Sequence, residues 1–389
     1  MATQYVEPIS VEPEAFYTNL GVQWYAGGTF QREPKRGADM KATRLYRVKP
    51  GQFVYNRMFV TEGSFALVAA DHADGVVSNE FPLFDVNCAV MLPEYLSLHF
   101  QQPSVWAGIA AQATGTTKSR RRWKESQFNE YRFSFPSLVE QRRIVDLIAA
   151  VDDAIETANE EATASSAAAA GLREVWFGAD EQTILAGEAY DIAAGKQLQR
   201  SVQIGDRVPY IRAANLSANQ VDVSDVNVMY ATDRDVEKLS LLEGDVLIVE
   251  GGFGYGKTAV WRNELPSPVI FQNHVLRVRS KNHRYSSQYA SMWAKWCYEA
   301  GRWRPTGTEL LNIGVGNARR MLLRSRESDG LPSLLQSAWA LDEAANAARA
   351  TADALRTLRS NLLTALLSGE HEIPSSYDKF LTLNEEAAA

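Results

Sequence analysis

The sequence has little cysteine and histidine and no long apolar run. Among 389 residues there are 2 cysteines, Cys88 and Cys297, and 5 histidines without metal-ligand spacing. These numbers exclude a disulfide framework and a zinc cage. No apolar run approaches the roughly 20 residues that a membrane span needs, and the first residues carry acids where a secretory signal is basic. We therefore expect a cytosolic protein with no membrane partner, no metal and no other cofactor.

The sequence also lacks an overall excess of positive charge. Its formal net charge is -7, which excludes a general nucleic-acid coat protein. The charge is segregated, however: basic residues outnumber acidic ones by seven to two in 31–50 and by six to two in both 118–132 and 299–326, whereas 140–174 has eight acids and three arginines. A basic run is often only a solvated face, so both that interpretation and an anion-binding surface remain open.

The chain contains an internal repeat. A shift of about 193 residues aligns a series of short strings in the same order. The matches include 50–54 with 243–247, 63–66 with 256–259, 76–77 with 269–270, 114–116 with 306–308 and 136–138 with 332–334. So many ordered matches at one spacing indicate a duplication.

Each half reads as a strand-rich globule followed by a long helix. Short β-branched or aromatic runs bounded by Gly, Pro and Asp predict strands at 52–59, 64–69, 245–250, 258–262 and 269–278. Apolar residues at three- and four-residue spacing predict the helices, and Ser137 with Glu140 forms a candidate capping box for the first. A helix of this length with one apolar seam needs a partner, and its duplicate is the obvious one.

These elements predict an α+β fold. We expect two pseudo-symmetric mixed α/β recognition domains separated by a long antiparallel helix pair, a coiled coil. The predicted boundaries are a first domain at 1–135, a first spacer helix at 136–178, a second domain at 179–331, a second spacer helix at 332–369 and an acidic tail at 370–389. The tail is expected to pack back on the first domain.

Two similar basic domains held a fixed distance apart suit double-stranded DNA, whose half-sites dimeric proteins read through their own symmetry. Arginine and lysine neutralise phosphates, and arginine also pairs with guanine. The candidate DNA contacts are Lys35, Arg36, Lys41, Arg44, Lys118, Arg120, Arg121, Arg122, Lys124, Arg212, Asn215, Arg302, Arg304, Arg319 and Arg320. Trp123, Tyr210 and Trp303 lie among them, and for these aromatic residues we favour a place in the core over base stacking.

A rival signal lies at 251–258, which matches the phosphate-loop pattern GxxxxGK[ST]. A phosphate-binding loop must open a helix, whereas 259–266 reads as a short strand that ends at a proline. The alternative is therefore a nucleotide-binding enzyme that uses Gly251, Lys257 and Thr258. A third interpretation is a coiled-coil adaptor whose basic patches are only solvated.

Several strings resemble one known family, the specificity (S) subunits of type I restriction-modification systems. Residues 135–144, FPSLVEQRRI, with 151–155, VDDAI, are similar to the opening of that family's central helix. Three strings of the second half resemble its target recognition domains: 209–216, 244–252 and 272–279. In the first half 20–25 and 77–82 do likewise, so the resemblance covers nearly the whole chain in order.

The resemblance implies a host-defence subunit without catalytic activity. In that family two target recognition domains each read one half of a split DNA site, and the helices dock two adenine-N6 methyltransferase (M) subunits, while ATP-dependent restriction (R) subunits join for cleavage. The positions expected to dock the methyltransferase are Gln141, Ile144, Leu147, Val151, Ile155, Leu341, Leu355 and Leu362. The second helix departs from the first in its opening string, which leaves its docking register open.

Overall fold

The computed structural model divides the chain into two compact units. Unit 1 comprises Met1–Glu156 and Asp353–Ala389, and unit 2 comprises Thr157–Ala352. The structure describes residues 1–112, 122–179, 181–198, 203–217, 219–252, 254–303, 312–326 and 331–379.

Unit 1 begins with short strands, followed by three helices. The strands are β1 (Ala2–Tyr5), β2 (Pro8–Ser10), β3 (Phe16–Tyr17), β4 (Leu20–Val22), β5 (Thr29–Gln31), β6 (Lys35–Arg36), β7 (Arg44–Arg47), β8 (Phe53–Tyr55), β9 (Phe65–Leu67), β10 (Val76–Val77) and β11 (Leu83–Val86). The helices are α1 (Pro93–His99), α2 (Pro103–Gln112) and α3 (Glu125–Glu130). Single 3-10 turns lie at Gly37–Asp39, Val60–Glu62, Ala70–His72 and Ser375–Tyr377.

The first long helix, α4 (Leu138–Phe177), leads into unit 2. The strands of that unit are β12 (Thr183–Leu185), β13 (Tyr190–Ala194), β14 (Asp206–Ile211), β15 (Leu216–Ser217), β16 (Gln220–Val221), β17 (Asn227–Ala231), β18 (Val246–Val249), β19 (Thr258–Val260), β20 (Ile270–Phe271), β21 (Val275–Ser280) and β22 (Leu322–Arg324). The helices that follow in chain order are α5 (Ala186–Ala189), α6 (Asp233–Leu239), α7 (Ser287–Glu299), α8 (Val315–Arg320) and the second long helix α9 (Ser333–Leu367). Single 3-10 turns lie at Ala213–Asn215 and His283–Tyr285.

Each unit is built on a four-stranded antiparallel sheet. Sheet I of unit 1 has the order β1-β11-β8-β9, and sheet II of unit 2 has the order β13-β21-β18-β19. When β8 is matched to β18 and β9 to β19, as the sequence repeat requires, the two sheets have the same strand order and the same pairing. The internal arrangement of the two units therefore repeats as the sequence does.

Alternate residues of each sheet enter two different cores, as the pleat of a strand requires. In unit 1, Phe53 and Tyr55 belong to the cluster that includes Ile144 of α4, whereas Val54 packs in a separate cluster on the opposite face. In unit 2, Ile248 likewise packs in one core cluster and Leu247 in a separate one on the opposite face. Both sheets are therefore buried on both faces, and one face of each packs against the long helices.

Smaller sheets complete the units. A three-stranded sheet of order β10-β7-β2 lies in unit 1, and one of order β17-β14-β20 lies in unit 2. The two-stranded pairs are β3-β6, β4-β5, β12-β22 and β15-β16.

The single strand predicted at 269–278 is two strands. The Val275 N–H donates to the Gln272 carbonyl at 2.9 Å and closes a turn between β20 and β21. β20 pairs in parallel with β14, whereas β21 lies in sheet II between β13 and β18. The prediction of one continuous strand was therefore wrong, because the apolar pattern does not register a turn that passes the chain from one sheet to another.

The long helices have no internal proline and are rich in alanine. At the start of α4 the Glu140 N–H donates to Ser137 Oγ at 3.4 Å, as an N-cap does, but the Glu140 carboxylate instead accepts from the Ile373 N–H at 2.7 Å. The helices run antiparallel in unit 1, since Arg359 pairs with Asp152 while Leu363 and Leu366, later in α9, share a core cluster with Ile144 and Ile148, earlier in α4.

Unit 2 shows the same antiparallel direction. Arg349 donates to Ser166 Oγ at 2.6 Å, and Arg173, one helical turn from the end of α4, donates to Asp342 Oδ2 at 2.8 Å near the start of α9. Each unit thus contains one half of both long helices, and the side chains of both halves enter its core.

The string that matches a phosphate-loop pattern forms the end of a β-hairpin. β18 pairs antiparallel with β19, and Ile248 lies opposite Thr258. The Gly256 N–H donates to the Val249 carbonyl at 2.8 Å, and Gly256 has φ +85°. Because Thr258 begins a strand and not a helix, no helical N-terminus is available for a phosphate there, and the nucleotide-binding alternative is wrong.

Residues 370–379 pack on unit 1. Ile373 is buried with Leu363 and Leu366 of α9, and Arg143 Nη2 donates to Asp378 Oδ2 at 2.7 Å. Arg143 lowers the pKa of the Asp378 carboxyl, since the hydrogen bond favours its charged form. Within the described residues, no helix has the length and apolar content to cross a bilayer.

Candidate nucleic-acid interface

The basic segment 31–50 of unit 1 lies largely on the surface. Lys35 and Arg36 form β6, where Arg36 stands opposite Phe16 of β3, an exposed aromatic residue. Lys41 and Arg44 are exposed in the following turn and at the start of β7. Arg36 is also ion-paired with Glu14, but a surface pair of this kind contributes little and is weakened by salt. All four predicted DNA contacts in this segment are accessible to a phosphate backbone.

In the same unit, the turn that joins β4 to β5 exposes two aromatic rings to solvent. Trp24 is 50% exposed and Tyr25 is 72% exposed. Tyr25 has φ 57° although it is not glycine, which strains the backbone. The strain is held because the Tyr25 and Ala26 N–H groups donate to the carbonyls of Glu62 and Gly63 at 2.8 and 2.7 Å. These residues were not predicted as contacts, although they belong to the string 20–25 that resembles the family's target recognition domains.

The second basic segment is only partly described. Lys118, Arg120 and Arg121 lie outside the described residues. Arg122 is half-buried and donates from Nε to Glu80 Oε2 at 3.0 Å, and Lys124 is exposed at the N-terminus of α3. Trp123, between them, is fully buried, which confirms its predicted place in the core.

In unit 2, Asn215 has a structural role and not the DNA contact predicted for it. Its Nδ2 donates to the carbonyls of Asp222 and Asp225 at 2.9 and 3.0 Å, and its Oδ1 accepts from the Arg212 N–H at 3.1 Å. The residue is buried, so none of these groups is available to a base. Arg212 itself is half-buried and ion-paired with Asp225, while Tyr210 is in the core as predicted.

The third basic segment exposes some of its arginines and fixes others. Arg302 is exposed and lies over the Trp296 ring, 5.3 Å from its centroid, whereas Trp303 is buried as predicted. Arg319 is exposed but donates to the Ile192 carbonyl at 2.6 Å, and Arg320 donates to Asn317 at 2.7 Å. Arg304 lies outside the described residues.

Three of the predicted methyltransferase-docking residues are buried in unit 1. Gln141 donates from Nε2 to the carbonyls of Val90 and Pro136 at 3.1 and 2.9 Å and accepts from the Leu92 N–H at 2.9 Å. Ile144 packs in the core, and Val151 is 9% exposed. A docked subunit cannot contact these side chains, so the prediction is corrected for them: their periodicity marks the face that packs on the unit's own core.

The other predicted docking positions are half-buried on the long helices. They are Leu147, Ile155, Leu341, Leu355 and Leu362. Three apolar side chains on these helices are more exposed and were not predicted: Val139, Val175 and Leu358.

No metal centre emerges from the described part of the chain, where no group of three or more His, Cys, Asp or Glu residues is arranged to hold an ion. His99 is buried; its Nε2 lies 2.9 Å from the Tyr131 hydroxyl and its ring stacks on Phe133. Burial lowers the pKa of His99 to about 4 because it disfavours the charged imidazolium.

No protein-family model matches this sequence, and no curated protein is significantly similar to it. Solved structures do match. One is a chain from work on complex assembly and conformational transition of the type I restriction-modification system, with 16% identity, TM-score 0.55 and coverage of 94% of this chain and 97% of that chain. Another is the type I restriction-modification S subunit from M. genitalium, with 13% identity, TM-score 0.55 and coverage of 94% and 96%.

The chain has the fold of a type I S subunit. At these identities the likeness establishes the fold alone, and it extends over nearly all of both chains. The structure contains both helices and sheets, as the predicted α+β class requires.

Proposed function

We propose that the chain is the specificity subunit of a type I restriction-modification complex. It reads a split site in double-stranded DNA and performs no catalysis itself. The observation that carries this proposal is the repeated sheet: two units with the same strand order, β1-β11-β8-β9 and β13-β21-β18-β19, occur in a chain with the S-subunit fold. A duplicated reader fits a ligand that has two related half-sites.

In this proposal residues 1–135 and 179–331 are the two target recognition domains. The antiparallel coiled coil formed by 136–178 and 332–369 is the spacer and gives the chain its pseudo-symmetry. Lys35, Lys41 and Arg44 in the first domain, and Arg302 and Arg320 in the second, supply phosphate contacts, which their exposure supports. Local basic surfaces of this kind bind DNA although the net charge is -7.

The proposed partners are two adenine-N6 methyltransferase subunits, which modify the site, and ATP-dependent restriction subunits, which cleave unmodified DNA. The neighbouring structure from work on complex assembly of a type I system supports partners of this class. We propose that the methyltransferase docks on solvent-exposed parts of the long helices, where Val139, Val175 and Leu358 are accessible and Ile155 and Leu355 are half-buried. Leu147, Leu341 and Leu362 instead pack against the cores of their own units.

The test is a binding selection. The full chain is tagged, purified from its source cells with the subunits that accompany it, and incubated with random-sequence duplex DNA. We expect the enriched sequences to share two fixed parts separated by a gap of unspecified bases. Enrichment of one continuous motif, or of none, would contradict the proposal, and salt-insensitive binding without a motif would favour a simple adaptor.

A further inference from the structure

In both units a polar residue follows a central strand of the sheet, and its backbone makes equivalent hydrogen bonds. In unit 1, Arg57 follows β8; its N–H donates to the Glu80 carbonyl at 3.0 Å, and its own carbonyl accepts from the Trp123 N–H at 3.2 Å. The segment that includes Arg122 thus lies beside the strand end. We call Arg57, Glu80 and Arg122 the polar frame of unit 1.

Unit 2 repeats this arrangement. Glu250 follows β18; its N–H donates to the His274 carbonyl at 2.9 Å, and its carbonyl accepts from the Ile313 N–H at 2.8 Å. The residue before Ile313 is Asn312, which forms an isolated bridge with Gly251. Glu250, His274 and Asn312 therefore form the polar frame of unit 2 and correspond, in that order, to Arg57, Glu80 and Arg122.

The surroundings show that the two frames are equivalent. Each is followed by a glycine in the left-handed region, Gly63 with φ +69° and Gly256 with φ +85°. An added Cβ would approach the ring of Trp106 to 2.5 Å at Gly63, and Trp303 to 2.8 Å at Gly256. A short helix then begins three residues after the last frame position, α3 in unit 1 and α8 in unit 2. Backbone hydrogen bonds and glycine turns build both frames, and in unit 2 Asn312 Oδ1 also accepts from the Gly314 N–H at 2.7 Å.

The side chains in the two frames differ in charge and hydrogen-bonding capacity. In unit 1, Arg122 pairs with Glu80 at 3.0 Å, and Arg57 pairs with Glu125. In unit 2 the corresponding positions carry a carboxylate, an imidazole and an amide. In the core of a duplicated fold, equivalent positions need to keep their volume, and a change of polarity is not required. Equivalent backbone positions that carry different polar side chains are therefore not explained by core packing.

Glu250 has features that a purely structural acid lacks. It is only 7% exposed, and within the part of the chain that the structure describes its carboxylate has no hydrogen-bond or ion-pair partner. Burial raises the pKa of Glu250 because desolvation disfavours its charged form. The carboxylate oxygens are not fully cut off from solvent, so a hydrogen-bond donor of a ligand can reach them.

We infer that the two polar frames are base-reading positions, one for each half of the split site; this rests on the proposed function. Base edges are distinguished by donors and acceptors in the major groove. The frame of unit 1 offers guanidinium donors, which suit the acceptors of guanine. The frame of unit 2 offers the Glu250 carboxyl acceptor and the exposed His274 imidazole, which suit the exocyclic amines of cytosine and adenine, whereas Asn312 Oδ1 is held by the Gly314 N–H. The two halves of the site therefore differ in sequence.

The experiment uses the tagged full-chain complex and two duplex libraries, each built on the selected site with one half randomised. Arg122→Gln alters the frame of unit 1, and His274→Ala alters that of unit 2 at an exposed residue of the turn between β20 and β21. The matched controls change exposed acidic residues of the same units: Asp74→Asn before β10 and Glu243→Gln before β18.

We expect each frame variant to lose about tenfold or more of the base preference at one or two positions of one half and to keep the other half unchanged. The controls should keep both halves. Unchanged preferences in the frame variants, or equal losses in both halves, overturn the inference while the proposed function stands. If the unaltered complex selects no split site at all, the proposed function fails and the inference fails with it.

Discussion

The equivalent cores of units 1 and 2 receive their aromatic side chains from different elements. On the helix-facing side of sheet I the strands carry Phe53, Tyr55, Phe65 and Phe84. On the equivalent side of sheet II they carry mainly aliphatic residues, among them Val246, Ile248, Val260 and Leu276, together with Tyr190 of β13.

In unit 2 the missing volume comes from α7. That helix contributes Tyr289, Trp293 and Trp296, whereas α1 of unit 1 contributes Tyr95, Leu96 and His99 to the corresponding region. The strand order is retained although the core residues differ at equivalent positions. Interiors are close-packed, and compensating changes are how such a core stays full.

The largest effect should come from the buried ion cluster of unit 2; among the described residues of unit 1, no ion-paired arginine or lysine is buried as deeply as Arg173. Arg173 is 1% exposed and contacts Glu299 and Asp342, while Lys295 also pairs with Asp342 at 2.7 Å. Burial lowers the pKa of Lys295, since desolvation disfavours its charge. Arg173→Ala should destabilise unit 2 by about 3 kcal/mol, because a buried cation that contacts two acids is lost and only Lys295 remains paired with the buried Asp342.

Hydrogen–deuterium exchange measured by mass spectrometry checks this unit by unit. Peptides of sheet II should exchange faster in Arg173→Ala, and those of sheet I should not. Arg349→Ala removes an exposed arginine from the same helix pair and serves as the control. Equal exchange in Arg173→Ala and Arg349→Ala would show that the buried cluster contributes nothing.

A smaller difference should appear with pH. His99 of α1 has a folded pKa of about 4 against an ordinary 6.5, whereas Trp293, at the matching position of α7, does not titrate. The unfolded chain takes up a proton before the folded one, so unit 1 should lose stability as the pH falls from 6.5 to 4, by about 3 kcal/mol in total.

Exchange rates of sheet I and sheet II recorded at pH 7 and pH 4.5 test this expectation, after correction for the intrinsic pH dependence of exchange. Unit 1 should weaken more than unit 2, and His99→Gln should remove most of the difference. If His99→Gln leaves the acid response of unit 1 as it was, another group is responsible.

Changes in DNA reading should be smaller and confined to one half-site. Arg120 and Arg304 belong to basic segments of different halves of the chain. If these arginines contact bases as predicted, replacing either one with alanine should cost roughly 1–3 kcal/mol and relax specificity in one half of the split site only. Selection from the half-randomised libraries measures this, and an equal effect of one variant on both halves would rule out separate readers for that residue.

The smallest effect is expected from phosphate contacts. Lys41→Ala removes an exposed cation of unit 1 and should weaken binding to all sequences alike. The slope of log affinity against log salt should become shallower by about 0.9 for each phosphate that is no longer neutralised. Titrations at several salt concentrations against specific and unrelated duplexes provide the measurement; a weakening restricted to the specific duplex would assign Lys41 to base reading.

Several features could be read from the sequence because they follow from local patterns. The repeat offset located equivalent strands, and the strand after Lys257 was recognisable from its alternating residues and the proline that follows. The burial of Trp123, Tyr210 and Trp303 followed from the general preference of aromatic residues for cores.

Other features depend on partners far along the chain and gave no local signal. Gln141 looks like an exposed helix residue until Val90, Leu92 and Pro136 supply three hydrogen bonds. Asn215 looked like a base reader beside Arg212 until the 222–225 segment folded over it. The polar frames are assembled from three separate segments, so neither could be recognised before the backbone was known.

The central claim is that this chain selects the DNA that its partners modify. The most direct test is a single-molecule methylome of the source strain with and without the gene. We predict that adenine methylation at one two-part motif, with its halves separated by unspecified bases, disappears when the gene is deleted and returns when it is restored. The same methylated motifs in both strains would contradict the claim.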